Sequence, residues 1–149
     1  MIVLATPDET LALGARLGAV LQAGDVVTLA GPLGAGKTHF ARGVLRGLGF
    51  TGEVPSPSFP LVIPYDPPAV RLPLAHVDLY RLDDDPMRVA ELALEEARVD
   101  GAVLVEWPDR LGDTLAADRL SLTLVVGSDG ARVLTAHRPP AWERRWPPT

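Results

Sequence analysis

The sequence predicts an α/β fold in which helices flank a mixed central sheet. Three observations support this prediction: a short β-branched apolar run leads into a glycine-rich loop, amphipathic helical spacing lies on both sides of that unit, and a hairpin pattern follows near the C-terminus. With 149 residues, 47% of them hydrophobic and 22% charged, the chain has the size and balance of one compact domain. We therefore expect residues 1–149 to form a single domain.

The first third of the chain is predicted to contain two helices around one buried strand. Apolar residues at helical spacing follow a possible cap at Thr6 and indicate a helix that ends near Gly24. The run 25–30 is short, β-branched and apolar on both faces, which is typical of a buried strand. A second amphipathic helix over 39–48 is expected to end at Gly49.

The middle of the chain is predicted to contain two paired strands. From Val54 to Asp66 prolines recur too often for a helix, so we expect a loop and then an irregular edge strand over 59–65. The stretch 71–80 is expected to form a second strand, antiparallel to the first.

The remaining elements are a helix, a buried strand and a hairpin. The helix is expected to open at Asp85 and to carry the apolar residues Val89, Leu92, Ala93 and Ala97. The apolar run 101–107 is typical of a buried strand, and 119–126 and 131–137 indicate a C-terminal β-hairpin about the turn 127–130.

Composition and charge exclude several classes of function. The absence of cysteine excludes disulfides, thiol catalysis and sulfur-ligated metal. A net charge of -5 without a basic stripe argues against direct nucleic-acid binding by the isolated chain. The basic tail from Arg138 to Arg145 is broken by prolines, and we interpret it as a solvated, frayed terminus rather than a phosphate-binding patch.

Neither a signal peptide nor a membrane span is predicted. The first residues lack a basic segment and run directly into a polar stretch, and no apolar run approaches membrane-spanning length. We therefore expect a cytoplasmic protein.

The pattern G-x-x-x-x-G-K-[ST] is complete over 31–38, between the predicted strand and helix that a P-loop requires. Its glycines let successive backbone N–H groups turn toward phosphate oxygens, and the helix N-terminus adds a partial positive charge. We expect Lys37 to reach the β- and γ-phosphates and the Thr38 hydroxyl to bind Mg²⁺. The sequence therefore predicts a P-loop NTPase-like domain, and the alternative is a glycine-rich turn with a chance lysine.

The distribution of cationic residues supports this interpretation of Lys37. Of the 14 lysines and arginines, Lys37 is the only lysine. A compact ammonium group on a flexible stem can fit between β- and γ-phosphate oxygens, whereas a planar guanidinium is broader. We infer that an arginine could not replace Lys37.

Glu106 is the candidate second metal ligand, because it ends the buried strand and a P-loop needs such a carboxylate beside its magnesium ion. The alternative is an exposed strand end that forms a salt bridge. The adjacent Trp107 could belong to the core or could border the nucleotide.

Three polar residues, His76, Asp78 and Tyr80, share one face of the predicted strand by its two-residue period. They could form a site. On the residues alone, we favour the other interpretation, the solvent face of a half-covered sheet.

Taken in order, these segments resemble the TsaE (YjeE) family of bacterial P-loop ATPases, which help to make threonylcarbamoyladenosine in tRNA. The resemblance covers roughly Thr10 to Trp107. The matching segments are Thr10–Gly14, Leu33–Thr38, Arg42–Gly43, Ser56–Phe59, Leu61–Val62, Tyr65, His76–Leu82, Glu91–Leu92 and Val105–Pro108.

The resemblance implies ATP and Mg²⁺ as ligands. It implies that Lys37 and Thr38 bind phosphate and magnesium and that Glu106 is a metal ligand. It also implies that Asp78 is needed for hydrolysis. The other residues that it implies around the nucleotide are Thr10 toward the adenine, Gly34, Ala35 and Gly36 in the loop, His39, Trp107, and Ser56 and Ser58 in a switch-like loop beside the γ-phosphate.

Three positions depart from the family pattern. Pro32 stands where aspartate is usual, which alters local charge but not the phosphate cradle. Ser58 replaces a threonine and keeps the hydroxyl. His39 replaces a common second threonine, so a side-chain contact with the α-phosphate is in doubt, although its backbone N–H could still serve.

The resemblance implies an ATPase that works in a complex with the paired TsaB and TsaD proteins. TsaD would transfer threonylcarbamoyl to adenosine next to the anticodon, and tRNA would be bound largely by partner surfaces. Two alternatives stay open. A small-molecule kinase should show an arginine-rich lid, which 83–85 and 91–96 do not offer, and a nucleotide-sensing module would bind without turnover.

Overall fold

The computed structural model describes residues 1–57, 61–82, 92–111, 115 and 117–148. Its strands are β1 (Ile2–Leu4), β2 (Val26–Ala30), β3 (Val62–Tyr65), β4 (Leu74–Asp78), β5 (Ala102–Glu106), β6 (Leu120–Val126) and β7 (Arg132–His137). Its α-helices are α1 (Pro7–Val20), α2 (Lys37–Gly47) and α3 (Leu94–Ala97), and short 3-10 helices lie at Pro108–Leu111 and Pro140–Trp142. None of the helices in these ranges has the length and apolar composition needed to cross a bilayer.

All seven described strands belong to one mixed sheet, in the order β1-β7-β6-β2-β5-β4-β3. Strands β6, β2, β5 and β4 are parallel neighbours, whereas β3, β7 and β1 are added antiparallel. The predicted α/β class, the antiparallel pairing of β3 with β4 and the C-terminal hairpin are confirmed. Because β2, β4 and β5 run in the same direction, their carboxyl ends meet at one edge of the sheet, where ligands of open α/β sheets bind.

The structure differs from the expected elements at two places. Ile2–Leu4 forms a strand that pairs with β7, although no element was expected there, because three residues are too few for a periodic signal. Ala93 has φ 55°, a left-handed conformation, so α3 begins after it and no helix runs continuously through Leu92 and Ala93. The expected helix opening at Asp85, with Val89, lies outside the described residues.

The apolar residues of the parallel strands pack on both faces of the sheet. Leu29 of β2 and Leu104 of β5 pack with α1 and α2 in one cluster, whereas Val103 and Val105 pack with Leu94 in a second cluster on the opposite face. Covering both faces buries these strands, as their near-continuous apolar sequences predict. The ends of the strands are thereby fixed in position.

Helices α1 and α2 approach each other closely because glycines face the contact on both. A Cβ at Gly14 or Gly18 would overlap a carbonyl oxygen of α2, and one at Gly43 or Gly47 would overlap a carbonyl oxygen of α1. Glycine is thus required by space rather than by backbone conformation. The close contact fixes α2, which begins at Lys37, relative to α1.

The C-terminal tail is packed against the body of the protein, so the prediction of a solvated, frayed terminus is wrong. Trp142 and Trp146 are only 1% and 5% exposed and belong to the core cluster that includes α1 and α2. The Arg145 guanidinium donates two hydrogen bonds to the Asp25 carboxylate, at 2.6 and 2.9 Å, and lies over the Trp142 ring. A paired fork of this kind fixes the orientation of both groups.

We expect Gly43→Ala to destabilise the protein by about 1–3 kcal/mol, because the new methyl group would force α1 and α2 apart. On an isolated helix the same change would stabilise by roughly 1 kcal/mol through helix propensity, so the sign is diagnostic. Chemical denaturation measures the effect. The control is Ala12→Ser on the exposed face of α1, which should change stability by no more than about 0.5 kcal/mol. A Gly43→Ala variant as stable as wild type would contradict the packing argument.

Candidate nucleotide-binding site

The glycine-rich loop leaves the carboxyl end of β2 and leads into α2. Gly31, Gly34 and Gly36 have φ values of 147°, 81° and 100°, which side chains disfavour. A Cβ at Gly31 would also overlap the carbonyl oxygen of Leu124 in β6. The first glycine of the motif is therefore required for the loop to pass the neighbouring strand.

Lys37 is enclosed at the N-terminus of α2, with 6% of its surface exposed. Its ammonium group donates to the carbonyl oxygens of Gly31 and Pro32 and lies 3.4 Å from the centroid of the Trp107 ring. Burial lowers the pKa of Lys37 from its ordinary value, while the carboxylates of Glu106, Asp78 and Asp109 act in the opposite direction. Phosphate oxygens would favour the charged form further.

Asp78 and Glu106 are neighbours at the carboxyl ends of β4 and β5, where the sheet register pairs them. Their exposed fractions are 3% and 2%. The Asp78 Oδ1 atom accepts a hydrogen bond of 2.8 Å from the backbone N–H of Tyr80. Two buried carboxylates thus face the buried ammonium group of Lys37. The residues alone predicted this position for Glu106 but not for Asp78.

Glu106 receives one hydrogen bond from each side. Thr38 donates through Oγ1 to Oε1 at 3.3 Å, and His76 Nε2 lies 2.6 Å from Oε2. When the Glu106 carboxylate is ionised it can only accept, and His76 then donates this bond through Nε2. His76 and Asp78 are 0% and 3% exposed, so the interpretation of their face as a solvent face is wrong. Only Tyr80, beyond the end of β4, is exposed.

Trp107 lines the cleft and, partly buried, also packs against the second core cluster. It follows β5 with φ 56°, unusual for a bulky residue, and this conformation brings its ring over Lys37. The Tyr80 ring packs on it with centroids 4.8 Å apart. The aromatic pair therefore forms one wall of the cleft.

The loop, the carboxylates and the aromatic pair surround one cleft of about 300 Å³. Most of the predicted site residues line it, including Ser56 of the switch-like loop, and Ser58 lies outside the described residues. Those lining it are Gly34, Ala35, Gly36, Lys37, Thr38, His39, Ser56, Asp78, Glu106 and Trp107.

Thr10 lines a second cavity, of about 260 Å³, that adjoins the first at Gly36 and His39. Thr10 is 2% exposed, and its Oγ1 has no hydrogen-bond partner among the described residues. The His39 ring bonds to the Pro7 carbonyl at 3.0 Å. Its side chain thus forms a wall between the two cavities. Arg132, beyond the range of the resemblance, also lines the second cavity, and no sequence pattern indicated it.

The side chains present fit a magnesium ion. Two adjacent ligands of an octahedral magnesium lie about 3 Å apart, and Thr38 Oγ1 and Glu106 Oε1 are separated by 3.3 Å. Among the described residues, no group of three or more acidic, histidine or cysteine side chains could hold a metal. Magnesium sites commonly use one or two protein ligands together with substrate phosphates.

Comparison with known proteins shows the family of this chain. A family model described as "Threonylcarbamoyl adenosine biosynthesis protein TsaE" matches residues 4–134. The chain belongs to the TsaE family. Family members share a P-loop NTPase fold, and curated relatives are named tRNA threonylcarbamoyladenosine biosynthesis proteins.

The similarity of this TsaE-family chain to its relatives extends over most of each chain. The TsaE protein of Bacillus subtilis is 38% identical over 87% of this chain and 79% of its own length. The TsaE protein of Streptomyces coelicolor is 41% identical over 75% of this chain and 76% of its own length. The crystal structure of Bacillus subtilis YdiB superimposes with a TM-score of 0.80 at 32% identity, covering 96% of this chain and 88% of that one.

We expect Lys37→Arg to lose most affinity for a non-hydrolysable ATP analogue, nearly as much as Lys37→Ala. The enclosed ammonium group fits between the loop carbonyls and the Trp107 ring, and a planar guanidinium is too broad for that space. Isothermal titration calorimetry measures the affinity, with Arg42→Lys as the control for an arginine–lysine exchange on the same helix. Wild-type affinity in Lys37→Arg would refute the geometric argument.

Proposed function

We propose that this TsaE-family chain binds ATP with Mg²⁺ in the cleft and hydrolyses it. One observation carries the proposal: a complete P-loop places Lys37 opposite two buried carboxylates, Asp78 and Glu106, at the ends of adjacent parallel strands. A phosphate-binding loop alone would support binding. A second buried carboxylate, Asp78, which lines the same cleft beside Glu106, supports turnover.

The two adjoining cavities support the orientation of the nucleotide. The phosphates would lie on the loop backbone and Lys37, and the nucleobase would enter the second cavity beside Thr10. The buried hydroxyl of Thr10 offers a donor and an acceptor to a base edge. Magnesium, when bound, would neutralise charge on the β- and γ-phosphate oxygens.

Each polar group in the cleft has a distinct task in this proposal. Thr38 and Glu106 would hold the metal, and His76 would keep the Glu106 carboxylate oriented. Asp78 would orient the attacking water or a group that does so, because its carboxylate is an acceptor at the edge of the cleft. The Tyr80 and Trp107 rings would limit the access of bulk water from one side.

We further propose that hydrolysis serves threonylcarbamoyl modification of tRNA adenosine in a complex with TsaB and TsaD. The names of the curated relatives support the pathway. The net charge of -5 supports an indirect relation to tRNA, since phosphate backbones attract basic surfaces. P-loop hydrolysis is often slow until a partner supplies missing groups, so we propose that the partners accelerate turnover.

The decisive experiment measures ATP turnover by the purified chain alone and with TsaB and TsaD. The proposal expects slow turnover alone and at least a tenfold increase with both partners. Binding without turnover in either condition would favour a nucleotide-sensing module. Transfer of the γ-phosphate to a small molecule instead of water would favour a kinase.

Glu106→Gln is expected to weaken magnesium-dependent binding of an ATP analogue about tenfold or more, because the amide keeps the shape but removes the charge at the metal. Binding in the presence of EDTA should change only a few-fold. Calorimetry with and without Mg²⁺ compares the two. Equal losses in both conditions would count against metal ligation by Glu106.

Asp78→Asn is expected to bind the ATP analogue within a few-fold of wild type but to lose turnover about a hundredfold or more. The asparagine oxygen can still accept the Tyr80 N–H bond, so the local fold should persist. Equilibrium binding and partner-stimulated hydrolysis are measured on the same preparation.

The matched control for Asp78 is Asp109→Asn, which also removes a negative charge near Lys37 but does not line the cleft. It should retain turnover. If Asp78→Asn lost binding and turnover to the same extent, the residue would be a ligand or a folding element instead of a catalytic one.

A further inference from the structure

Arg132 connects the P-loop to the C-terminal β-hairpin. It is the first residue of β7 and follows the hairpin turn after β6. Its Nε donates to the Ala35 carbonyl at 2.9 Å, its Nη2 to the Gly34 carbonyl at 3.2 Å and its Nη1 to the Gly130 carbonyl at 2.9 Å. One half-buried side chain thus ties two consecutive loop peptides to the hairpin turn.

These bonds fix the orientation of the loop peptides. In a planar trans peptide the C=O and the following N–H point in opposite directions. Because the Ala35 carbonyl points at Arg132, the N–H of Gly36 points away from it. Similarly, the Gly34 carbonyl points at Arg132, and the N–H of Ala35 is directed to the Pro32 carbonyl at 3.2 Å, which closes the turn of the loop.

We propose that Arg132 is a positioning residue for the P-loop, holding the peptides at Gly34 and Ala35 so that the loop is preformed for the phosphates of the nucleotide. The inference rests on the proposed nucleotide binding. Arg132 lines the second cavity but not the phosphate cleft, and the hydrogen bonds that it donates to the loop go to carbonyl oxygens. It acts through the loop backbone, on which a phosphate would be bound.

The guanidinium is suited to this task for a geometric reason. Its donors lie in a rigid plane and can reach the three carbonyl oxygens simultaneously, whereas an ammonium group is a single point with no fixed fork. The flexible glycines at 34 and 36 have little conformational preference of their own. An external constraint therefore reduces the ordering that phosphate binding would otherwise require.

The test compares Arg132→Met with Arg132→Lys and with Arg98→Met. Arg98 is the matched control, because it donates two hydrogen bonds to the Gly24 carbonyl, before β2 and at the end of that strand opposite the P-loop. Affinity for a non-hydrolysable ATP analogue is measured by calorimetry with and without Mg²⁺. Backbone ¹⁵N order parameters of the loop are measured without nucleotide, and thermal unfolding is recorded for each variant.

We expect Arg132→Met to weaken binding about tenfold or more, with and without Mg²⁺, because two charged hydrogen bonds to the loop are lost. Its order parameters at Ala35 and Gly36 should fall in the free protein. Arg132→Lys should recover little of either property. Arg98→Met should retain wild-type affinity and loop order even if its melting temperature falls.

Several outcomes would overturn the inference. Unchanged loop order in Arg132→Met would do so, and this readout needs no nucleotide, so it is independent of whether the protein hydrolyses ATP. If Arg132→Lys kept wild-type affinity and loop order, the effect of Arg132 would be a simple charge attraction to the phosphates instead. Loss of affinity in Arg98→Met equal to that in Arg132→Met would assign a general stability effect. A wild-type chain that binds ATP without turning it over would refute the proposed hydrolysis, and the affinity and loop order of the Arg132 variants would still decide the positioning role.

Discussion

The buried ammonium group of Lys37 constrains the arrangement of the whole cleft. A charge removed from water requires compensating oxygens, and here the loop carbonyls of Gly31 and Pro32 and the carboxylates of Asp78 and Glu106 provide them. These groups come from different elements, so they meet only when β2, β4 and β5 are parallel neighbours in the observed order. The charge compensation of Lys37 therefore depends on the order of the strands in the sheet.

The Glu106 carboxylate is the point at which three elements are joined. It ends β5, accepts from Thr38 on α2 and accepts from His76 on β4. Each of its two oxygens thereby has a hydrogen-bond partner, which restricts rotation of the carboxylate beside the loop. The close contact of α1 with α2 continues this constraint outward, since a shift of α2 would move Thr38 relative to Glu106. Packing that lies far from the cleft thus bears on its geometry.

The parts of this structure that follow from local sequence were predictable, and the parts that depend on distant contacts were not. The glycine loop, its strand and its helix are contiguous, so motif and periodicity predicted them, and Glu106 was expected to end its buried strand. Asp78 was expected inside a strand over 71–80, whereas β4 ends at Asp78. The burial of His76 could not be predicted, because its partner lies 30 residues away on another strand. Arg132, 97 residues from the Ala35 carbonyl, left no local pattern. The packed tail was missed because Trp142 lies in a 3-10 helix of three residues, which is too short for a periodic signal, and Trp146 follows it in irregular backbone.

The cationic residues show a division of tasks that the sequence could suggest only through Lys37. Arg71 donates to the carbonyls of Gly18 and Leu21 near the end of α1, and Arg132 and Arg145 likewise bridge acceptors from separate elements. A planar fork with several donors suits such bridging. A single point charge that can move between acceptors suits the loop, where phosphate oxygens would compete with the carbonyls of Gly31 and Pro32. These three arginines thus bridge elements of the architecture, and the one lysine stands at the position where we expect that a planar fork would not fit.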